Sequence, residues 1–332
     1  MHQTVKAIQE TLSEVERVLI ITHVGPDGDA IGSLTAVAQA LIQLGKQVVL
    51  MCDDRVPTRF TYLDLSDQVS RPYHNNQPYD LIVAVDCGDE QRMGQAYATL
   101  PEPRPSIINI DHHVTNTRFG NINLVGETAV STTEILFDLF AELNITLTIE
   151  LAMSLLTGLV TDTLGFRTVG VSAKTLQIAS ELMAAGADLP LITQQGLNVK
   201  SFSTIKLWRA GLGSMKLEDG LIWAAITYEQ RKEIGYAGAS SNGLTNLLAD
   251  VDQAAIGAVL MDVGNGNIRI GFRCRPPYNV AELARNLGGG GHPLAAGCTM
   301  QGSLAEVESL VVQLSKEAIQ QQEIDAGHGG IG

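Results

Sequence analysis

Asp111, His112 and His113 stand in a row at the end of the apolar run Ser106–Ile110. A carboxylate and two imidazoles at the end of a buried strand must be hydrogen-bonded, exposed or coordinated. The same residue types recur at three other places. His23, Asp27 and Asp29 lie in "THVGPDGD" behind the run Arg17–Thr22, Asp86 ends the run Leu81–Val85, and Asp162 closes the apolar "LLTGLVTDT". Taken singly, each has an ordinary use. A lone aspartate forms a turn, Asp29 could cap the following helix, and Asp111 could orient a neighbouring imidazole. Together they are a different matter. Four or more carboxylates converging without a counter-charge repel, and some must protonate. Metal ions relieve that repulsion, and mixed imidazole and carboxylate donors suit Mn²⁺, Zn²⁺ or Fe²⁺ better than Ca²⁺. The donors suffice for two ions, which at roughly 3.5–4 Å apart clamp an attacking and a leaving oxygen. That chemistry is hydrolysis of a phosphoester or an anhydride.

These residues need a scaffold that brings strand ends to one edge. "RVLIIT", "QVVLMC" (Gln47–Cys52), "YDLIVAVDC" (Tyr79–Cys87) and "SIINID" read as buried strands. "DAIGSLTAVAQALIQLG" (Asp29–Gly45) has helical spacing and a terminal glycine, and further helices are predicted near 131–143, 149–161 and 172–185. Strands alternating with helices imply a parallel sheet covered on both faces, with ligands at the carboxyl ends of the strands. Gly25, Pro26 and Gly28 supply a turn that can aim His23, Asp27 and Asp29 inward together. A carboxylate at the C-terminus of a helix opposes the macrodipole, so Asp162 is better tolerated beside a cation.

The expected fold is α/β: a parallel-sheet N-terminal domain over residues 1–187, a linker over 188–216, a smaller α/β domain over 217–322 with the active-site cleft between the two domains, and a frayed tail at 323–332. The second domain is predicted to hold strands at 221–227, 254–263 and 267–274, a helix at 280–286 and a C-terminal helix at 304–320. Within it "GGGGH" is read as a loop whose backbone N–H groups can approach an anion. Arg273 and Arg275 in "GFRCRPP" add guanidinium groups that match phosphate oxygens, and His292 can donate to a phosphate.

Composition limits the partners. The 332 residues carry 22 Lys and Arg against 36 Asp and Glu, a net charge of −14. Such a surface repels long polyanions, which argues against coating of duplex nucleic acid. It leaves room for a small nucleotide in a metal-filled pocket. No apolar run is long enough to span a membrane, and no basic, apolar leader is evident. Four cysteines without C-x-x-C spacing read as reduced thiols, so a cytoplasmic location is expected.

Taken together, "HVGPDGDAIGS", "VDCGD", "DHH", "TGLVTDT", "GFRCR" and "GGGGHPLAAG" resemble the DHH phosphoesterase superfamily with its DHH-associated C-terminal domain. The resemblance spans roughly residues 15–300 and is nearest to the nanoRNase branch, the bifunctional oligoribonuclease and PAP phosphatase family. It implies Mn²⁺-dependent hydrolysis of very short RNAs, linear dinucleotides and 3′-phosphoadenosine 5′-phosphate by a hydroxide that two ions activate. It implies one ion at His23, Asp27 and Asp86 and the other at Asp29, Asp86, His112 and Asp162. His113 would contact the scissile phosphate, with Asp111 supporting it. Arg273, Gly290, Gly291 and His292 would hold the substrate's other phosphate or terminal nucleotide. The family's usual serine after the arginine is Cys274 here, a weaker donor. A homodimer is also plausible from the family. The competing readings are a RecJ-like single-strand exonuclease, which would need a basic track, a cyclic dinucleotide phosphodiesterase, an inorganic pyrophosphatase and a non-catalytic nucleotide sensor. The sensor would show a broken ligand set.

Overall fold

A computed structural model describes residues 2–71, 78–236, 238 and 240–328. The chain forms two compact units, Met1–Val199 and Lys200–Gly332. In the first, β1 (Arg17–Ile21), β2 (Gln47–Met51), β3 (Leu81–Val85), β4 (Ser106–Asp111) and β5 (Ile122–Val125) make one sheet in the order β2-β1-β3-β4-β5. Every pairing is parallel. The helices are α1 (His2–Glu14), α2 (Gly28–Gln43), α3 (Gly94–Ala98), α4 (Thr132–Glu142), α5 (Ile149–Asp162), α6 (Ala173–Ala184) and α7 (Leu189–Thr193). Alternate strand residues go to opposite faces. Val18, Ile20, Val83, Ile108 and Ile110 join a core with α1, α2, α4 and α5, while Leu19, Ile21, Ile82 and Ile107 pack with Met93, Ala96 and Tyr97. The expected parallel sheet, covered on both faces, is thus present.

The strand order reverses beside β1, with β2 on one side and β3 on the other. In open α/β sheets such a switch point, at the carboxyl ends, is where ligands sit. Two helices bring further residues to it. α2 and α5 pack closely because Gly32 and Gly158 face one another: a Cβ on Gly32 would lie 2.5 Å from the Ser154 carbonyl oxygen, and one on Gly158 would strike Asp29 and Thr133.

The second unit holds α8 (Phe202–Ser214), β6 (Lys216–Glu218), β7 (Leu221–Ile226), α9 (Tyr228–Ile234), α10 (Leu244–Ala249), β8 (Ile256–Gly264), β9 (Asn267–Cys274), α11 (Ala281–Asn286), β10 (Gly290–His292), β11 (Ala295–Gln301) and α12 (Leu304–His328). Its sheet runs β10-β11-β9-β8-β7-β6, with β7 and β8 parallel and the other pairs antiparallel. Residues 188–216, a linker with room for helix in the sequence reading, comprise α7, a π-helical turn at Gln194–Asn198 and α8. Two expectations change. The glycine run is in part an edge strand, β10, paired with β11. α12 continues to His328, past the point where composition suggested fraying.

Candidate metal centre

His23 and Asp86 follow the ends of β1 and β3, and Asp111 ends β4 with His112 and His113 after it. Asp86 is buried and central. Its Oδ2 lies 3.4 Å from His23 Nε2, and its Oδ1 lies 3.7 Å from both His112 Nε2 and His113 Nδ1. Its backbone is left-handed at φ +57°, a strained region for a non-glycine residue that aspartate tolerates better than most. Burial alone would raise its pKa. The hydrogen bond and charge of His23, with those of His112 and His113, outweigh burial and hold the carboxyl well below the usual range.

The turn after β1 separates Asp27 from Asp29. Asp27 is the N-cap of α2, its Oδ1 accepting from the N–H groups of Asp29 (3.0 Å) and Ala30 (3.1 Å). Asp29 is buried in the first turn and is not the cap. Its carboxylate accepts from the N–H groups of Thr132 (2.6 Å) and Thr133 (3.1 Å), at the positive end of α4. Even so, burial and then the charges of Asp86 and Asp27 push its pKa well up. Asp162, at the end of α5, is raised in the same way by burial and by Asp29, Asp27 and Asp86. Its Oδ2 lies 3.2 Å from His112 Nε2.

The imidazoles are oriented from behind. His23 Nδ1 lies 2.9 Å from the Val24 carbonyl and His112 Nδ1 lies 3.3 Å from the Ala129 carbonyl. A carbonyl only accepts, so each Nδ1 carries a proton and each Nε2 is aimed at the carboxylates. In His23 burial is outweighed by the hydrogen bond and charge of Asp86 and by Asp27, which raise its pKa and favour an Nε2–H facing Asp86. Burial lowers the pKa of His112, which favours its neutral form. His113 differs. Its Nδ1 donates to Asp111 Oδ1 at 2.7 Å, and this bond raises its pKa to about 9. Asp111 Oδ2 accepts from Asn116 Nδ2. Asp111 therefore serves His113 and Asn116.

Three donor groups result, each with atoms within 4.8 Å of one another: His23 with Asp27 and Asp86, Asp29 with His112 and Asp162, and Asp86 with His112 and His113. All eight sequence-derived residues of this unit thus meet at one edge. Sequence reasoning missed Thr132, whose Oγ1 donates to Asp86 Oδ1 at 3.0 Å, and Asn116. "STTE" at 131–134, a serine cap three residues before a glutamate, was the signal for Thr132. The set fits a divalent ion: imidazole Nε2 atoms and mutually repelling carboxylates converge, and the raised Asp29 and Asp162 are what an unneutralised acidic cluster shows.

In the second unit Arg273 pairs in register with Ala295, which pairs with His292, so these residues share a sheet face. Gly290 pairs with Gly297, and Gly291 with Ala296. The expectation for Arg275 changes. Arg275 donates to the carbonyl of Val251 at 3.0 Å, so its guanidinium is engaged structurally. Cys274 belongs to the buried core, its thiol against the carbonyls of Tyr278 and Pro293, and does not share Arg273's face.

Residues 17–159 match the model of the DHH family, N-terminal domain, and residues 224–321 match the DHHA1 domain. A bifunctional oligoribonuclease and PAP phosphatase NrnA of Thermus thermophilus is 32% identical over 90% of this chain and 89% of its own length. A probable NrnA of Streptococcus mutans is 24% identical over 93% of this chain and 97% of its own length. An exopolyphosphatase-related protein from Bacteroides fragilis has the same fold, with a TM-score of 0.86, 23% identity and 98% coverage of both chains. The chain belongs to the DHH family of phosphoesterases, and within it to the group of bifunctional oligoribonucleases and PAP phosphatases. It is accordingly a hydrolase. Among the described residues no helix is long and apolar enough to cross a membrane.

Proposed function

We propose that this chain hydrolyses very short oligoribonucleotides and 3′-phosphoadenosine 5′-phosphate with two Mn²⁺ ions. His23, Asp27 and Asp86 would hold one ion, and Asp29, Asp86, His112 and Asp162 the other. The observation that carries this is the position of Asp86, 3.4 Å from His23 of one donor group and 3.7 Å from His112 of the other. The family relatives named for these two activities support the substrate class. No observation favours the RecJ-like exonuclease or the cyclic dinucleotide phosphodiesterase over it.

Two bound divalent ions supply Lewis acidity toward phosphate oxygens and lower the pKa of water to give a nucleophile at neutral pH. The chain's own residues do the rest. His113, protonated through Asp111, donates Nε2–H to a phosphate oxygen as charge builds there. Thr132 fixes Asp86 through its hydroxyl and Asp29 through its N–H. On the second unit, Arg273 and His292 would bind a further phosphate of the substrate.

The test is a Mn²⁺-supplemented time course on end-labelled RNA of two nucleotides, of five and of roughly twenty, with 3′-phosphoadenosine 5′-phosphate in parallel. Rapid loss of the dinucleotide and release of phosphate from the bisphosphate are expected, with slow loss of the longest RNA. Faster processive degradation of the longest RNA would overturn the reading in favour of an exonuclease.

A further inference from the structure

A cavity of about 360 Å³ opens on the second unit's sheet, lined by Arg269, Gly271 and Arg273 of β9, by Gly297 and Thr299 of β11, and by Ser241 among others. Its size is at the lower end of small-ligand sites, right for one nucleotide residue rather than a helix. The register explains its shape. Arg273, Gly271 and Arg269 alternate with the buried Ile268, Ile270 and Phe272, so all three project from one face. Gly271 pairs with Gly297 and Arg269 with Thr299, leaving a floor of bare backbone between two guanidinium-bearing positions. At roughly 3.3 Å per residue, those positions lie about 13 Å apart along the strand before the side chains reach inward.

Gly271 is the informative residue. Its backbone is not left-handed, and a Cβ there would meet only Thr245 Oγ1, at the ordinary contact distance of 3.4 Å. Neither backbone nor packing requires glycine at this place; what its missing side chain leaves is space in the cavity. The cavity is also basic in a chain of net charge −14: among the described residues no aspartate or glutamate lines it. Arg273 is half-buried, and its one hydrogen bond among the described residues runs from Nη1 to the Phe272 carbonyl at 2.8 Å. A guanidinium in such surroundings wants an anion. Ser241 and Thr245 hydroxyls, paired at 2.7 Å, add donors, while Val259 and Met261 give an apolar wall without an aromatic ring.

We propose that this cavity takes the nucleoside that follows the phosphate held at Arg273, and that Arg269, with Thr299, binds the phosphate beyond it. The proposal rests on the phosphoesterase reading above. It makes the second unit a measure of substrate length: a 5′-phosphorylated trinucleotide can reach Arg269, whereas 3′-phosphoadenosine 5′-phosphate has no third phosphate to place there. With no aromatic ring among the described lining residues to stack on, the site tolerates any base.

The test uses the full chain with Arg269→Gln and, independently, Gly271→Val, a residue suited to a strand that would fill the floor. Binding of the 5′-phosphorylated trinucleotide is measured by calorimetry with chelator present, so that nothing turns over. kcat/KM is then measured for both substrates with Mn²⁺. Expected is a loss of about tenfold to a hundredfold in trinucleotide affinity for each variant, and a fall in the ratio of trinucleotide to bisphosphate kcat/KM through KM. Unchanged trinucleotide affinity, or an equal fall for both substrates, overturns the proposal. A wild-type protein that binds the trinucleotide but hydrolyses neither substrate would refute the phosphoesterase reading and leave the cavity's assignment standing.

Discussion

The Nδ1 of His113, held 2.7 Å from Asp111, sets the clearest expectation for a single residue. With the carboxylate in place the imidazole stays protonated up to about pH 9. Asp111→Asn keeps an acceptor and removes the charge, so the pKa should fall toward the unperturbed value of about 6.5. If the imidazolium is the form that meets the phosphate, the alkaline limb of kcat/KM moves down with it, and turnover near neutrality falls about tenfold or more. A pH–rate profile in which the variant keeps the wild-type alkaline limb would show that Asp111 does not act through His113. At this scale much was readable. "DHH" at a strand end, "HVGPDGD" and Asp162 named eight residues that the fold gathers. What could not be read was the origin of their support. Thr132 donates its N–H to Asp29 across 103 positions of sequence; "STTE" marks the helix start that leaves this donor free, but not the distant carboxylate it reaches.

Among the elements, α2 and α5 carry most of the placement. Gly158 lies where any side chain would meet Asp29, so Gly158→Ala should displace that carboxylate and weaken metal binding by about tenfold. Gly32→Ala meets the Ser154 carbonyl instead. It should lower stability by about 1–3 kcal/mol, seen as a lower Tm of the chelated protein. Calorimetric titration with Mn²⁺ separates the two effects, and a Gly158→Ala protein with wild-type affinity would count against the packing argument. Elements with strong periodicity were legible: β1, β3, β4, α2 and α5 fall within a few residues of their expected limits. Those without it were not. β5 has four residues, of which only Leu124 is buried, and the edge strand β10 is built from glycine, which has no alternation to read.

For the whole molecule, the acidic centre should couple stability to pH and, on the two-ion proposal, to metal. In the chelated protein Asp29 and Asp162 have pKa values raised above those of the unfolded chain. The folded state then binds more protons, so stability is present at pH below the ordinary carboxylate range of about 4 and is lost as pH rises from there toward the folded values. Asp86, whose pKa is depressed, adds the opposite slope only below that range. Chelated protein should therefore lose Tm as pH rises above about 4. Added Mn²⁺ should restore it, with a larger gain at the higher pH because binding no longer displaces protons. A Tm that does not respond to metal at either pH would argue against coordination by these carboxylates.

The measurement that bears most directly on the account is calorimetric titration of Mn²⁺ into chelator-stripped protein, wild type against Asp86→Asn. Asparagine tolerates the left-handed backbone at this position, so the fold should survive. Two ions per wild-type chain are expected. The variant should lose at least one of them and fall by orders of magnitude in hydrolysis of the dinucleotide. A variant that binds both ions with wild-type affinity, or a wild type that binds none, would contradict a two-ion centre built around Asp86.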